Sequence, residues 1–312
     1  MVNRRHIRIK VMQSVYALLQ SKSDDLVKEE KFLLFSTQKA FDLYVLQLLL
    51  LVEVKNLAFE HLEIKKKNYL ATAEDKNPNL KFIENEVIDA IEKSEDIADY
   101  KSQKKLEHWK DNREYIRVIW DAIQSSRIYH DYLASEGSGF KEDKEFIQSI
   151  FEEVIAPNEK LFDFYESVNL SWVDDYPLVN TWIYKSIKQL KKGEEFKLND
   201  FEIKEDDVEF LTDLFKKVVL HHSEYTDDIN NKTPNWDAER IAEIDLILIK
   251  MAITEFLYFP SIPAKVTINE YIEIAKDYST NKSSYFINGV LDKLLKDYGK
   301  ENKLNKIGRG LL

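Results

Sequence analysis

The stretch PAKVTINEYIEIAKDYSTNKSSYFINGVLDKLL, residues 263–295, predicts two amphipathic helices separated by a polar break. In the first helix, Thr267 is followed three residues later by Glu270, which is the spacing of a capping box. In that motif the hydroxyl accepts a backbone N–H of the first turn while the carboxylate reaches back to the backbone of the cap. Pro263 lies just upstream, where a proline can end the preceding element. We therefore expect a capped helix that buries one broad apolar face.

The second helix of this stretch follows the polar run Ser279–Ser284, which offers several N-cap residues. Five apolar residues then fall at helical spacing: Phe286, Val290, Leu291, Leu294 and Leu295. The pair Asn288-Gly289 would signal a hairpin turn between strands. Because the flanking period is 3.6 rather than 2, we interpret Gly289 as a helical residue kept small so that a neighbouring helix can approach.

The composition of the whole chain favours helices. Seven glycines and six prolines in 312 residues are about a third of average usage, so tight turns are few. The chain has no cysteine, which excludes disulfides, thiolate nucleophiles and cysteine-ligated zinc. We expect an all-α protein, long enough for two or three domains, in a reducing cytoplasm.

Charge is distributed unevenly along the chain. The net charge is −11, yet residues 1–22 carry five basic and no acidic side chains, and residues 300–312 carry four basic side chains and one acid. A positive end on an acidic body suits a localised anionic ligand better than a long polyanion track.

The first predicted helix carries this basic end. Its apolar positions are Ile7, Val11, Val15 and Leu18, spaced as one helix face. Basic side chains near a helix N-terminus work against the helix dipole, a small cost that an anionic partner would remove. The alternative is an amphipathic helix whose basic first turn is simply solvated.

Several segments resemble the NusB family of bacterial transcription antitermination factors. The strings VTINEYIEIAK (266–276) and FINGVLDK (286–293) are similar to the C-terminal signature of that family. The opening order Arg4-Arg5-x-Ile7-Arg8, followed by Gln13 and Tyr16, resembles its start. Further similar segments are Val208–Phe215, Trp236 with Arg240, and Ile244–Glu255. The resemblance covers roughly residues 1–20 and 205–298.

The resemblance implies a NusB-like antiparallel helical bundle made of two packed three-helix sub-bundles. Residues 1–22 and 201–300 would form this RNA-binding core, 23–200 an additional helical insertion, and 301–312 a basic tail. The family pairs with the ribosomal protein NusE of the small subunit, binds boxA RNA of nascent ribosomal RNA transcripts and acts on the transcription elongation complex. These properties are expectations for this chain.

Candidate site residues follow from matching positions. The resemblance implies RNA contacts by Arg4, Arg5, Arg8, Lys282, Tyr285 and Phe286. Asp245, in the Ile-Asp motif, would face the NusE partner, the alternative being a solvent-exposed helix acid. Phe286 has a second interpretation, because its spacing to Val290 is also that of a core residue.

The insertion contains a repeat at an offset of 64 residues. The matching pairs are Glu145-Phe146 with Glu209-Phe210, Ile150-Phe151 with Leu214-Phe215, Val154 with Val218, and Trp172 with Trp236. Residues 143–190 are therefore a candidate degenerate duplicate of the core helices.

We expect a binding protein with no enzymatic activity, cofactor or metal. His221 and His222 are adjacent, about 100° apart on a helix, so they lack the same-face spacing of a zinc pair. The most apolar run, Leu43–Val52, is too short to span a bilayer and is interpreted as a buried core helix. The alternative function is a non-catalytic helical scaffold that binds protein partners only. A module of an RNA methyltransferase is disfavoured, since no Gly-rich nucleotide-binding loop follows.

Overall fold

A computed structural model describes residues 4–22, 24–135, 137, 139–198, 204–232, 241–280 and 282–311. Within these residues the regular structure is helical and contains no strand, so the all-α prediction is confirmed. The helices are α1 (Arg4–Ser21), α2 (Leu26–Lys67), α3 (Ala73–Lys76), α4 (Glu86–Glu92), α5 (Glu95–Lys104), α6 (His108–Asp111), α7 (Arg113–Ser125), α8 (Arg127–Ala134), α9 (Phe140–Ile150), α10 (Glu159–Val168), α11 (Trp172–Gln189), α12 (Glu205–Leu220), α13 (His222–Lys232), α14 (Glu243–Tyr258), α15 (Ala264–Tyr278) and α16 (Ser283–Lys300). A π-helical turn, Phe151–Ile155, follows α9, and a 3₁₀ turn, Gly308–Leu311, lies near the C-terminus.

The chain divides into two compact units. One, here called the core unit, comprises Val2–Thr37 and Ile203–Leu312; the other, the inserted unit, comprises Gln38–Glu202. The core unit thus takes in the first turns of α2, which the predicted domain boundary at residue 22 assigned to the insertion.

The core unit is built around α14. Its residues 247–256 are buried all round, because α1, α12, α13, α15 and α16 all pack against this helix. Helix α1 lies against α12, α14 and α15 and buries its predicted apolar face. Ile7, Val11, Val15 and Leu18 are at most 8% exposed, which confirms that face.

The predicted capping box at the start of α15 is wrong. The helix begins four residues earlier than a cap at Thr267 implies, at Ala264, with Pro263 in extended conformation at the N-cap and no side-chain cap. Thr267 is therefore inside the helix and fully buried, and its hydroxyl donates to Oε2 of Glu255 at 3.0 Å. Glu270 pairs instead with Arg5. Both side chains are thus held by other helices of the core unit.

The start of α16 also differs from the prediction. Lys282 is the N-cap residue, without a side-chain cap, whereas the hydroxyls of Ser279 and Thr280 pair with Oγ of Ser283 at 3.0 and 2.8 Å. Gly289 is helical as predicted, but it is exposed and a Cβ placed there would meet nothing within 4 Å. The interpretation of Gly289 as a point of close helix approach is therefore wrong.

The inserted unit has an aromatic core. Trp109 and Trp172 are buried and donate their indole N–H to the carbonyls of Leu46 (2.9 Å) and Lys39 (2.7 Å) on α2. The run Leu43–Val52 is buried, as predicted. None of the described helices combines the length and apolar character needed to cross a membrane.

The 64-residue repeat is only partly visible in the structure. Its four phenylalanines, Phe146, Phe151, Phe210 and Phe215, are all buried. Residues 205–220 form one continuous α-helix, however, whereas the earlier copy passes from α9 into the π-helical turn. Trp236 lies outside the described residues. Duplication stays a prediction.

Candidate nucleic-acid interface

Arg8 is the most deeply placed of the three predicted arginines. Its Nε and Nη2 donate to the two carboxylate oxygens of Glu255 at 2.7 and 2.9 Å, and the two side chains are 3% and 0% exposed. Glu255 also accepts from Thr267 at 3.0 Å and from the hydroxyl of Tyr271 at 2.7 Å. Burial lowers the pKa of Arg8, but the charge and hydrogen bonds of Glu255 outweigh it, so this pKa lies above its ordinary value.

The alternative of a solvated basic first turn is therefore wrong for Arg8, and burial also keeps its side chain from the RNA contact that the resemblance implies. Arg8, Val11 and Val15 share one helix face, and that face packs inside the core unit. A buried arginine with a hydrogen-bonded carboxylate is satisfied within the protein and does not present its charge to solvent. The ion pair of Arg8 with Glu255 holds α1 against α14.

Arg5 and Arg4 are the accessible arginines of α1. Arg5 donates through Nε and Nη2 to both carboxylate oxygens of Glu270 at 2.9 and 3.0 Å, with side-chain exposures of 40% and 22%. The hydrogen bonds that Arg5 donates to Glu270 are the main reason that the pKa of Arg5 is raised. Nε of Arg4 lies 3.4 Å from Oδ1 of Asp207, and its guanidinium carbon lies 4.8 Å from the ring centre of Phe210. The Arg4 side chain is 46% exposed. Each accessible arginine thus has an acidic neighbour.

The first turn of α16 presents the second predicted group. Lys282 and Tyr285 are exposed, Tyr285 to 81%, at a helix N-terminus without a side-chain cap. Backbone N–H groups at such a terminus favour anions. Phe286, by contrast, is only 9% exposed, which fits its alternative interpretation as a core residue. A base cannot stack on a ring in that position.

Asp245, the predicted partner contact, lies in the first turn of α14 and is only 5% exposed. The alternative of a solvent-exposed acid is therefore wrong. Its Oδ1 has no hydrogen-bond partner among the described residues. The exposed acid of the same turn is Glu243, which accepts from Gln20 at 2.6 Å. Trp236 and Arg240 lie outside the described residues.

Sequence reasoning did not identify the acidic partners of the arginines, which are Glu255, Glu270 and Asp207. It also did not identify the contacts of residues 301–311, here called the C-terminal strap. Lys306, in the predicted basic tail, donates to the carbonyls of Glu255 and Phe259 at 3.0 Å each, and burial lowers its pKa. It caps the end of α14. One signal was available, since Glu255 lies in a largely apolar run, residues 246–256, and a buried acid needs a partner.

The adjacent histidines take different partners, as their spacing predicts. Nδ1 of His221 lies 2.9 Å from Oε2 of Glu224, and its Nε2 lies 3.1 Å from the hydroxyl of Tyr258. Nε2 of His222 instead lies 2.8 Å from Nζ of Lys250. Among the described residues no group of three or more histidine and acidic side chains is suited to a metal ion.

The comparisons with known proteins agree with this architecture. The family model for the NusB family matches residues 179–296, a range that begins within α11 and does not include α1. Three relatives, each named transcription antitermination protein NusB, align over 104 residues. They come from Salinibacter ruber (44% identical; 33% of this chain, 65% of the relative), Chloroherpeton thalassium (41%; 33% and 49%) and Finegoldia magna (44%; 32% and 72%).

The chain spans less than two thirds of the length of the first two of these relatives. No solved structure matches it. Since it is 44% identical to the Finegoldia protein over 72% of that protein's length, and the family model matches the same C-terminal part of the fold, the chain belongs to the NusB family.

Proposed function

We propose that this protein is a transcription antitermination factor that binds boxA-type RNA of nascent ribosomal RNA transcripts together with the ribosomal protein NusE. The observation that carries the proposal is the match of residues 179–296 to the family whose members are named for antitermination. The transcription elongation complex would be the wider partner. No catalytic role is part of the proposal.

The charge of the two units supports RNA binding by the core unit. The inserted unit has 33 acidic and 23 basic side chains, a net of −10, whereas the core unit has 23 and 22, a net of −1. The two values together account for the −11 of the chain. An RNA backbone is repelled far less by the core unit.

The proposed RNA surface consists of Arg4 and Arg5 on α1 and Lys282 and Tyr285 on α16. The three basic side chains are partly or fully exposed and can contact phosphates, and the exposed ring of Tyr285 offers a stacking platform for an unpaired base. The buried Arg8 holds the arginine-bearing end of α1 in place.

For the NusE partner we propose the first turn of α14. Glu243 is its exposed acid, and Asp245 is the buried acid of the same turn. An acidic turn suits a partner that presents basic side chains. Charge reversal at Glu243 is expected to slow association, whereas a change at Asp245 acts through the shape of the turn.

Fluorescence anisotropy with the full chain tests the proposal. We expect boxA RNA to bind more tightly than a scrambled RNA of equal length, purified NusE to increase the affinity, and the logarithm of affinity to fall with the logarithm of salt concentration. Absence of RNA binding at low salt, with NusE still bound, would favour a scaffold that binds protein partners only.

A further inference from the structure

The accessible arginines of the interface are occupied by carboxylates in the free protein. We propose that Glu270 and Asp207 act as resident anions on Arg5 and Arg4, against which every RNA phosphate must compete. This inference rests on the proposed function and adds a control of affinity at the same site.

The pairs are built by the tertiary fold and are not incidental neighbours on one helix. Arg5 is on α1 and Glu270 on α15, 265 positions apart in sequence, and the contact is bidentate at 2.9 and 3.0 Å. Asp207 reaches Arg4 from the first turn of α12. The two acids are only 22% and 15% exposed, so packing holds them beside arginines that are themselves 40% and 46% exposed.

The three arginines therefore differ in how exposed their ion pairs are to solvent. The pair of Arg8 with Glu255 is buried, and separating it would leave an unpaired charge in the interior, so it stays closed. The pairs of Arg4 and Arg5 are open to solvent on the arginine side, and such pairs hold together only weakly. Phosphates can compete at these two positions and not at Arg8.

The direction of the effect follows from the donors of Arg5. Its Nε and Nη2 are used by Glu270, which leaves N–H groups on Nη1. A phosphate can bind there with Glu270 in place, or it can displace Glu270. In both geometries the carboxylate charge opposes the phosphate, so removal of that charge strengthens binding.

The test compares Glu270→Gln and Asp207→Asn in the full chain, because glutamine and asparagine remove the charge and keep one acceptor oxygen for the arginine. The matched control is Asp227→Asn, an exposed acid on α13 of the same unit. The probes are boxA RNA and poly(U) of equal length. We expect each interface variant to raise affinity for both probes about 2- to 5-fold, and the control to leave both unchanged.

The outcomes separate the two proposals. Weaker RNA binding by Glu270→Gln would show that the carboxylate orients Arg5 for RNA, which overturns the inference. Unchanged binding by the interface variants, or an equal gain in Asp227→Asn, would show that there is no local competition and would overturn it as well. A gain in which boxA RNA binds no better than poly(U) would leave the inference standing and contradict the proposed function. Absence of binding by every form would contradict both.

Discussion

Arg8 and Glu255 form a bidentate ion pair inside the core unit, with N–O distances of 2.7 and 2.9 Å and almost no exposure of either side chain. The pair joins α1 to α14, and Thr267 and Tyr271 add α15 through their hydrogen bonds to the same carboxylate. One acid thus ties three helices together.

Replacement of Arg8 by alanine should destabilise the protein strongly. It leaves Glu255 buried and unpaired, a change that costs about 3 to 5 kcal/mol in the free energy of unfolding. Denaturant titration measures that loss. The matched control is Arg5→Ala, whose partly exposed pair should contribute no more than about 1 kcal/mol. Equal losses in the two variants would contradict the assignment of Arg8 as the buried anchor.

The accessible arginines should govern RNA affinity. The double variant Arg4→Ala/Arg5→Ala should bind boxA RNA more weakly and reduce the salt slope by about one per lost phosphate contact. Unfolding should change little, because both side chains are substantially exposed. A salt series of anisotropy titrations gives both quantities. Lys28→Ala/Lys31→Ala, which removes the same charge from exposed positions of α2, should leave the slope unchanged.

Periodicity predicted those parts of the fold that depend only on burial. The apolar face of α1 and the run Leu43–Val52 are buried as expected, because the spacing of apolar residues reports directly which side of a helix avoids water. Periodicity did not identify Lys282 and Tyr285, which the family resemblance implies as RNA contacts; both are exposed at the start of α16, and their role stays a prediction.

The errors at Thr267, Glu270 and Arg8 share one cause, which is that these polar side chains have partners from distant segments. Thr267 and Glu270 have the spacing of a local cap, yet Thr267 donates to Glu255 and Glu270 pairs with Arg5. Arg8 belongs to a stretch without acidic residues, so no neighbouring residue in the sequence indicates that it has an acidic partner. A local pattern cannot encode a contact between residues 8 and 255, which only the packing of α1 on α14 creates.

Two glycines should respond in opposite directions to alanine. A Cβ at Gly310 would lie 1.9 Å from the backbone oxygen of Pro260, so Gly310→Ala must displace the C-terminal strap. We expect a loss of about 1 to 3 kcal/mol, as for overpacking elsewhere. Gly289 is an exposed helical position with open space around it, so Gly289→Ala should stabilise by up to about 1 kcal/mol. Thermal unfolding of both variants under identical conditions measures the contrast.

Lys250 should make stability depend on pH in the alkaline range. Burial lowers the pKa of this lysine to about 8, from an ordinary value of 10.5, and its Nζ contacts His222 at 2.8 Å and Thr226 at 2.9 Å. Because the unfolded chain binds the proton more tightly, the cost of burying the charge is full below pH 8 and disappears as pH rises toward 10.5. Stability should therefore gain up to about 1.4 kcal/mol per pH unit in that window from this group.

The comparison with Lys250→Met isolates that contribution. Other lysines and tyrosines also titrate above pH 8, but they do so in both proteins, so the difference in unfolding free energy should shrink steadily from pH 8 to 10. His222 adds a separate effect, since burial and then Lys250 lower its pKa, so stability should fall as pH drops below about 6.5. A pH-independent difference between wild type and variant would contradict the lysine assignment.

Substitution of the two neighbouring aromatic residues at the start of α16 should affect different properties, stability for Phe286 and RNA affinity for Tyr285. Phe286 is buried, so Phe286→Ala should cost about 3 to 5 kcal/mol in the free energy of unfolding. Tyr285 is 81% exposed, so Tyr285→Ala should leave unfolding within about 0.5 kcal/mol and instead cost about 1 to 3 kcal/mol of RNA affinity if its ring stacks on a base. Tyr285→Phe keeps the ring and should bind RNA like the wild type, which separates stacking from hydrogen bonding by the hydroxyl. Denaturant titration and anisotropy on the same three variants give both readouts. RNA affinity that is unchanged in Tyr285→Ala would remove this turn from the proposed interface, because no other exposed aromatic ring lies in the described first turn of α16.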